Sequence, residues 1–215
     1  MTFRGFFNSG RRSLSEPRVI RLGNYKGCDL YWTVLSRDEG TSLLLCSYII
    51  EYLPFHDKYE AVAWDNCTLR KWLNTEFIST AFRDSAFPVI RKINQTKNSR
   101  DTEDYVWLLS ASEAKSYFPD RISDGTRRIE LGGPCRNLEP RHIGQGIGIR
   151  QRDVWLLRSN ANYEENKHEV SNVIDYDYIS HGVNDGGRNL NVDSIAGIRP
   201  CILVDSVWEL RYAGI

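Results

Sequence analysis

Asp153-Val154-Trp155-Leu156-Leu157-Arg158-Ser159 and Ala196-Gly197-Ile198-Arg199-Pro200-Cys201-Ile202-Leu203-Val204-Asp205 bracket the C-terminal quarter of the chain. Each stretch is short, rich in β-branched and aromatic residues and bounded by turn formers, so each reads as a strand. The 38 residues between Arg158 and Gly197 differ: they are rich in Asn, Asp, Tyr, Ser and Gly and poor in aliphatic runs. The pattern is that of a rigid frame holding a long polar surface, where binding function commonly sits.

Upstream, the frame acquires partners. In residues 30–35, Leu30, Trp32 and Val34 fall on one face and Tyr31, Thr33 and Leu35 on the other. Both faces are apolar, as in a central strand. Asp38-Glu39-Gly40 reads as a hairpin turn leading into a second buried strand over residues 43–50. Asn66 offers an N-cap for a helix from about Thr68. Leu69, Trp72, Leu73 and Phe77 share one face of that helix. A second short helix is expected over residues 84–93, with Pro88 in its first turn. Residues 96–104 read as polar and exposed, and residues 105–109 as a strand. Ser110-Ala111-Ser112-Glu113 is a capping-box pattern opening a short helix to Phe118.

At 215 residues, with 41% hydrophobic and 12% aromatic content, the chain is long enough for one domain with a real core. Residues 1–18, rich in Gly, Ser and Arg, read as an N-terminal arm, and residues 19–215 as a single domain. Residues 119–152 read as a Gly- and Arg-rich loop insertion. Gly144, Gly146 and Gly148 have the spacing of a phosphate loop, but no strand leads into them and no helix follows, so they read as loop. The formal net charge is zero, which excludes a general nucleic-acid binder. No apolar run reaches the length of a membrane span, and residues 1–12 have no secretory signal pattern. A cytoplasmic location is therefore expected, with delivery to a surface or particle by another route as the alternative. The five cysteines, at 28, 46, 67, 135 and 201, are odd in number and scattered. They read as reduced, unpaired thiols of a reducing compartment.

The motifs form an ordered set. Trp32-Thr33-Val34-Leu35 precedes Leu43-Leu44-Leu45-Cys46, followed by Trp64 and Thr68-Leu69-Arg70-Lys71-Trp72-Leu73-Asn74 with Phe77. Asp104-Tyr105-Val106-Trp107-Leu108-Leu109-Ser110 with Glu113 comes next, then Trp155 to Ser159 and Gly197-Ile198-Arg199-Pro200. Over about residues 19–207 this resembles a bacterial domain family of unknown function. The family is similar to the C-type-lectin-like fold, whose relatives include formylglycine-generating enzymes and variable proteins diversified by retroelements. The resemblance implies an α+β fold of mixed antiparallel sheets, two flanking helices and long loops. It implies that residues 31–35 pair with residues 199–204. It also implies a long loop region before the last strand that presents ligand contacts.

Candidate site residues follow from this frame. Asn160, Asn162, Tyr163, Asn166, Tyr176, Tyr178, His181 and Asn184 lie between the framing strands. Tyr offers large contact area at low entropy cost, and Asn offers adaptable hydrogen bonds. They are the candidate ligand contacts, to a protein or a glycan. Trp72, Trp155, Arg158 and Arg199 read as structural, although two arginines could also clamp an anion. Sugar-binding lectins of this fold hold calcium through Glu-Pro-Asn and Trp-Asn-Asp. Here Glu139-Pro140-Arg141 and Val183-Asn184-Asp185 stand instead, and Arg141 would repel a cation. No metal and no cofactor are expected. His56, His142, His168 and His181 show no ligand spacing, and no Gly-x-Ser-x-Gly elbow occurs. A formylglycine-generating type of enzyme is the alternative function, and a structural domain of a phage or surface assembly is another. Those enzymes use closely spaced cysteines, whereas Cys135 and Cys201 are far apart.

Overall fold

A computed structural model describes residues 19–38, 40–83, 88–93, 100–117, 155–160, 169–174, 178–180 and 190–205. The expected arm at 1–18 and the expected insertion at 119–152 lie outside the described residues.

β1 (Val19–Tyr25) and β2 (Cys28–Asp38) form an antiparallel hairpin. Ile20, Leu22 and Tyr25 of β1 turn inward. Gly23, at φ +81°, is required twice over. Its backbone conformation disfavours any side chain, and a Cβ there would sit 2.5 Å from the carbonyl oxygen of Ala81. β3 (Thr41–Cys46) returns antiparallel to β2 after the expected turn, in which Gly40 takes φ +85°. Residues 42–46 of β3 are all buried, as the two-sided apolar run required.

β4 (Glu51–Pro54) leads through a single 3-10 turn, Trp64–Asn66, into the main helix. That helix runs as α1 (Thr68–Trp72), a π-helical turn (Leu73–Phe77) and α2 (Ile78–Ala81). Leu69, Leu73 and Phe77 are buried on the predicted face, while Trp72 is half-buried against Tyr25 and Phe77. The expected cap at Asn66 is replaced. Cys67 is the N-cap and its Sγ accepts from the Arg70 N–H. His56 Nδ1 accepts from the Thr68 N–H at 3.2 Å. Asn66 instead donates to Asp65.

The second helix expected over residues 84–93 is not present in its described part. Val89 bridges Leu203, and β5 (Arg91–Ile93) pairs with β6 (Thr102–Asp104). The stretch from 96 to 104 is correspondingly not all exposed, because Thr102 and Asp104 are buried. β7 (Val106–Trp107) follows, then α3 (Ala111–Tyr117). The predicted capping box closes α3: the Ser110 N–H donates to Glu113 at 2.9 Å, and the Glu113 N–H to Ser110 Oγ at 3.1 Å.

The C-terminal part contributes β8 (Trp155–Asn160), β9 (Glu169–Ile174), β10 (Tyr178–Ser180), β11 (Leu190–Asn191), β12 (Ile195–Ile198) and β13 (Cys201–Asp205). Two main sheets result. One has the order β1-β2-β3-β13-β7, the other β10-β9-β8-β12-β4 with β11 beside β9. All described pairings are antiparallel except β8 with β12. The fold is thus α+β with mostly antiparallel sheets and few helices.

Three expectations are corrected here. Residues 31–35 and 199–204 share a sheet but do not pair, since β3 lies between β2 and β13. The tight turn at Gly40 places β3 against β2, and β3's other edge then takes β13. The presumed single last strand is two. Proline has no N–H to give to a ladder, and at Arg199-Pro200 the chain leaves one sheet for the other. The Pro200 carbonyl accepts from the Cys46 N–H at 2.9 Å, and the Ile198 carbonyl from Ile50 at 3.0 Å. Finally, Cys28 is disulfide-bonded, so the chain is not fully reduced. Cys28 starts β2 at the half-exposed end of a hairpin, whereas the free thiols Cys46, Cys67 and Cys201 are sealed in the core.

That core is continuous across both sheets and the helices. Trp32, Trp64, Trp107, Trp155, Phe55 and Phe77 are among its fully buried side chains. Truncating one such aromatic to Ala costs about 3–5 kcal/mol, a large share of a domain's typical net stability.

Candidate functional site

β8 and β12 enclose the polar segment and are neighbours in one sheet, with Trp155 opposite Gly197. Because the two strands run parallel, the segment leaves at the Asn160 end of β8 and re-enters at the opposite end of the pair, at Ile195 of β12. It is not the uninterrupted loop expected from composition. β9 folds back on β8, and β10 and β11 both pair with β9. Among the candidate ligand residues, Asn160 ends β8 and Tyr178 begins β10. Asn162, Tyr163, Asn166, Tyr176, His181 and Asn184 lie outside the described residues, as do the Glu139-Pro140-Arg141 and Val183-Asn184-Asp185 motifs.

Arg158 and Arg199 are each about 5% exposed and engaged by the frame (6% and 5%). Arg158 donates from Nη1 to the Leu108 carbonyl at 3.0 Å and to Glu113, and its backbone N–H donates to Leu109. Beside it, Ser159 Oγ accepts from the Ala111 N–H at 3.1 Å. β8 is thereby bolted to the start of α3. Burial alone would raise the Glu113 pKa, but the hydrogen bond and charge of Arg158, with the Ser110 N–H, hold it below the usual carboxylate range. Arg199 Nε donates to the Cys46 carbonyl at 2.9 Å, and its guanidinium lies over Trp155.

A second polar feature was not found from the sequence. Asp65, Asn66, Arg70, Arg100, Asp101, Thr102 and Glu103 line an open cleft of about 890 Å³. Two of its lining residues, Arg70 and Thr102, are held by Asp104, which is buried and accepts from three donors. Trp64 Nε1 and Thr102 Oγ1 reach Oδ2 at 2.9 and 2.7 Å, and Arg70 Nε reaches Oδ1 at 2.7 Å. Arg70 Nη1 also donates to the Asp65 carbonyl at 3.2 Å. The only sequence sign was the Asp104 that opens the β7 motif, since residues 65–70 and 100–103 are far apart in the chain.

The free thiols are poorly suited to nucleophilic or ligand chemistry, which requires thiolate. Burial pushes Cys46 and Cys67 up to about 12, and Cys201 further still. Among the described residues, no group of three or more His, Cys, Asp or Glu could hold a metal ion. Nor is any described helix long and apolar enough to cross a membrane.

In comparisons with known proteins, one family model, a domain of unknown function termed DUF6273, matches residues 39–206. No curated protein and no solved structure matches the chain.

Proposed function

Since the chain belongs to the DUF6273 family of domains of unknown function, which brings no activity with it, we propose on geometric grounds that it is a ligand-binding module. In this reading the domain has a C-type-lectin-like frame and presents residues 160–191 to a protein or glycan. A retroelement-diversified variable protein is the specific form of that module that an Asn- and Tyr-rich interior suits. The supporting observation is the parallel neighbourhood of β8 and β12. Strands adjacent in a sheet, with Trp155, Leu156, Leu157, Ala196 and Ile198 buried beneath them, give the segment between them a rigid base. A surface carried on a rigid base loses less entropy on binding than a free loop does. The formylglycine-generating alternative is disfavoured by the deep burial of Cys201 in β13.

The test replaces Tyr163, Tyr176, Tyr178 and Asn184 by Ala, singly and together, and compares thermal melts with binding to glycan and protein panels. The reading expects a folded quadruple variant that loses a partner held by the parent. A quadruple variant that unfolds, or one that keeps every partner, would overturn it.

A further inference from the structure

We infer that the cleft over Asp104 is a second binding site, for a small zwitterion carrying one ammonium and one carboxylate, of amino-acid to tripeptide size. Its volume, about 890 Å³, falls in the range of small-molecule pockets. What selects the ligand class is the charge arrangement. Arg70 is 26% exposed and held at two points, by Asp104 through Nε and by the Asp65 carbonyl through Nη1. A guanidinium has five N–H donors, and Arg70 Nη2 makes no hydrogen bond among the described residues. The group is thus a fixed donor edge on the wall of the cleft, of the kind that binds carboxylate.

Arg70 is neutralised by Asp104, and Asp101 pairs with Lys92 at 3.3 Å. Asp65 is also engaged, by Asn66 Nδ2 at 2.9 Å among others, which leaves Arg100 on one side of the balance and Glu103 on the other. Arg100 and Glu103 are exposed and form no ion pair among the described residues. A simple anion would meet Arg100 but also Glu103. A simple cation would meet the reverse. Only a ligand with both charges finds a partner for each, and the described lining residues, none of them apolar, disfavour a greasy ligand. The inference does not rest on the reading of residues 160–191 as a binding surface.

The experiment is calorimetric titration of the full chain with trialanine bearing free termini, beside N-acetyl-trialanine and trialanine amide. The expected result is saturable binding of the free peptide, at least tenfold weaker for each capped form. Arg100→Ala should weaken the free peptide towards the level of the amide, and Glu103→Gln should weaken it towards the level of the acetylated form. Both residues are exposed, and unchanged melts would certify that the variants fold. Should a variant fail to fold, amide shifts of Asn66 and Thr102 in the parent, followed by NMR during the same three titrations, give the same answer. No saturable binding of the free peptide, capped peptides that bind as well as it does, or folded variants with unchanged affinity would overturn the proposal.

Discussion

The guanidinium of Arg199 lies 4.9 Å from the ring centroid of Trp155, while its Nε donates to the carbonyl of Cys46 2.9 Å away. Trp155 belongs to the β8 sheet and Cys46 to the β3 sheet, so one side chain joins the two layers where the chain crosses between them. Replacing Arg199 by Met leaves a buried carbonyl without its donor and removes a desolvated cation–π contact. An orphaned acceptor costs about 1–3 kcal/mol and the ring contact about 1–2 kcal/mol. Arg199→Met should therefore lower stability by about 2–4 kcal/mol, read from the midpoint of urea unfolding. Lysine keeps the charge but not the fixed Nε geometry and should recover only part of the loss. A midpoint unchanged in Arg199→Met would show that the layers do not depend on this bridge.

The Glu113–Arg158 pair predicts a pH dependence. Glu113 is held below its ordinary pKa in the folded state, so the unfolded chain binds the proton more readily. The stabilisation is then complete above the unfolded value, about 4.3, and is lost as pH falls through the lower folded value. Glu113→Gln deprives a buried arginine of its counter-charge and should destabilise by about 1–3 kcal/mol at pH 7, less than a fully buried pair because Glu113 is partly exposed. The gap between parent and variant should narrow as melts are taken from pH 7 to below pH 4. A gap that stays constant would mean that the carboxylate charge contributes nothing.

The cysteines give a chemical test. With Cys28 in a disulfide and Cys46, Cys67 and Cys201 free, a single bond consumes two of the five thiols of the sequence. Titration in denaturant without reductant should find three thiols, and five after reduction. In the native protein the three should resist a thiol reagent at pH 8, because burial raises all their pKa values and blocks access. Five thiols before reduction would remove the disulfide from the fold.

The parts of this fold that were legible in the sequence are local. The turn at Gly40 requires positive φ, the Ser110–Glu113 box satisfies donors three residues apart, and the Leu69, Leu73, Phe77 stripe is one helical face. Each is decided by neighbours within a few residues. Sheet order is not. Nothing in residues 31–35 states that β3 will stand between them and β13, because either strand offers the same apolar alternation. The helix expected at 84–93 failed similarly: Val89 and Ile93 suit a helical face, but pairing of β5 with β6 and the Val89–Leu203 bridge overrode it. The cleft over Asp104 is not legible in the sequence because its two walls come from segments about 35 residues apart, which the buried carboxylate joins. The 160–191 candidates were chosen by composition, and composition says which side chains are present without saying which face one another.

Asn74 carries the most demanding prediction, because one amide serves four backbone groups. It sits in the π-helical turn Leu73–Phe77. Its Oδ1 accepts from the Tyr105 and Val106 N–H groups at 2.8 and 3.1 Å, and its Nδ2 donates to the Val106 and Arg70 carbonyls at 2.8 and 3.1 Å. The main helix is thereby fastened to β7, itself an edge strand of only two residues. Asn74→Ala leaves two donors and two acceptors without this partner; the Arg70 carbonyl keeps the Leu73 N–H, and each other buried group so orphaned costs about 1–3 kcal/mol. Water reaching the half-buried site offsets part of that, so a loss of about 2–4 kcal/mol is expected. Asn74→Asp separates the two halves of the amide. The carboxylate still accepts from both N–H groups, but its second oxygen now faces the two carbonyls that Nδ2 had satisfied. Like partial charges there should make Asp no better than Ala at pH 7. Protonating the acid restores one O–H donor, so the Asp variant should gain on the Ala variant as pH falls towards 4. Urea midpoints of both variants at pH 7 and pH 4 read this directly. If Asp matches the parent at pH 7, the Nδ2 bonds contribute nothing and the helix is held to β7 by the N–H groups alone.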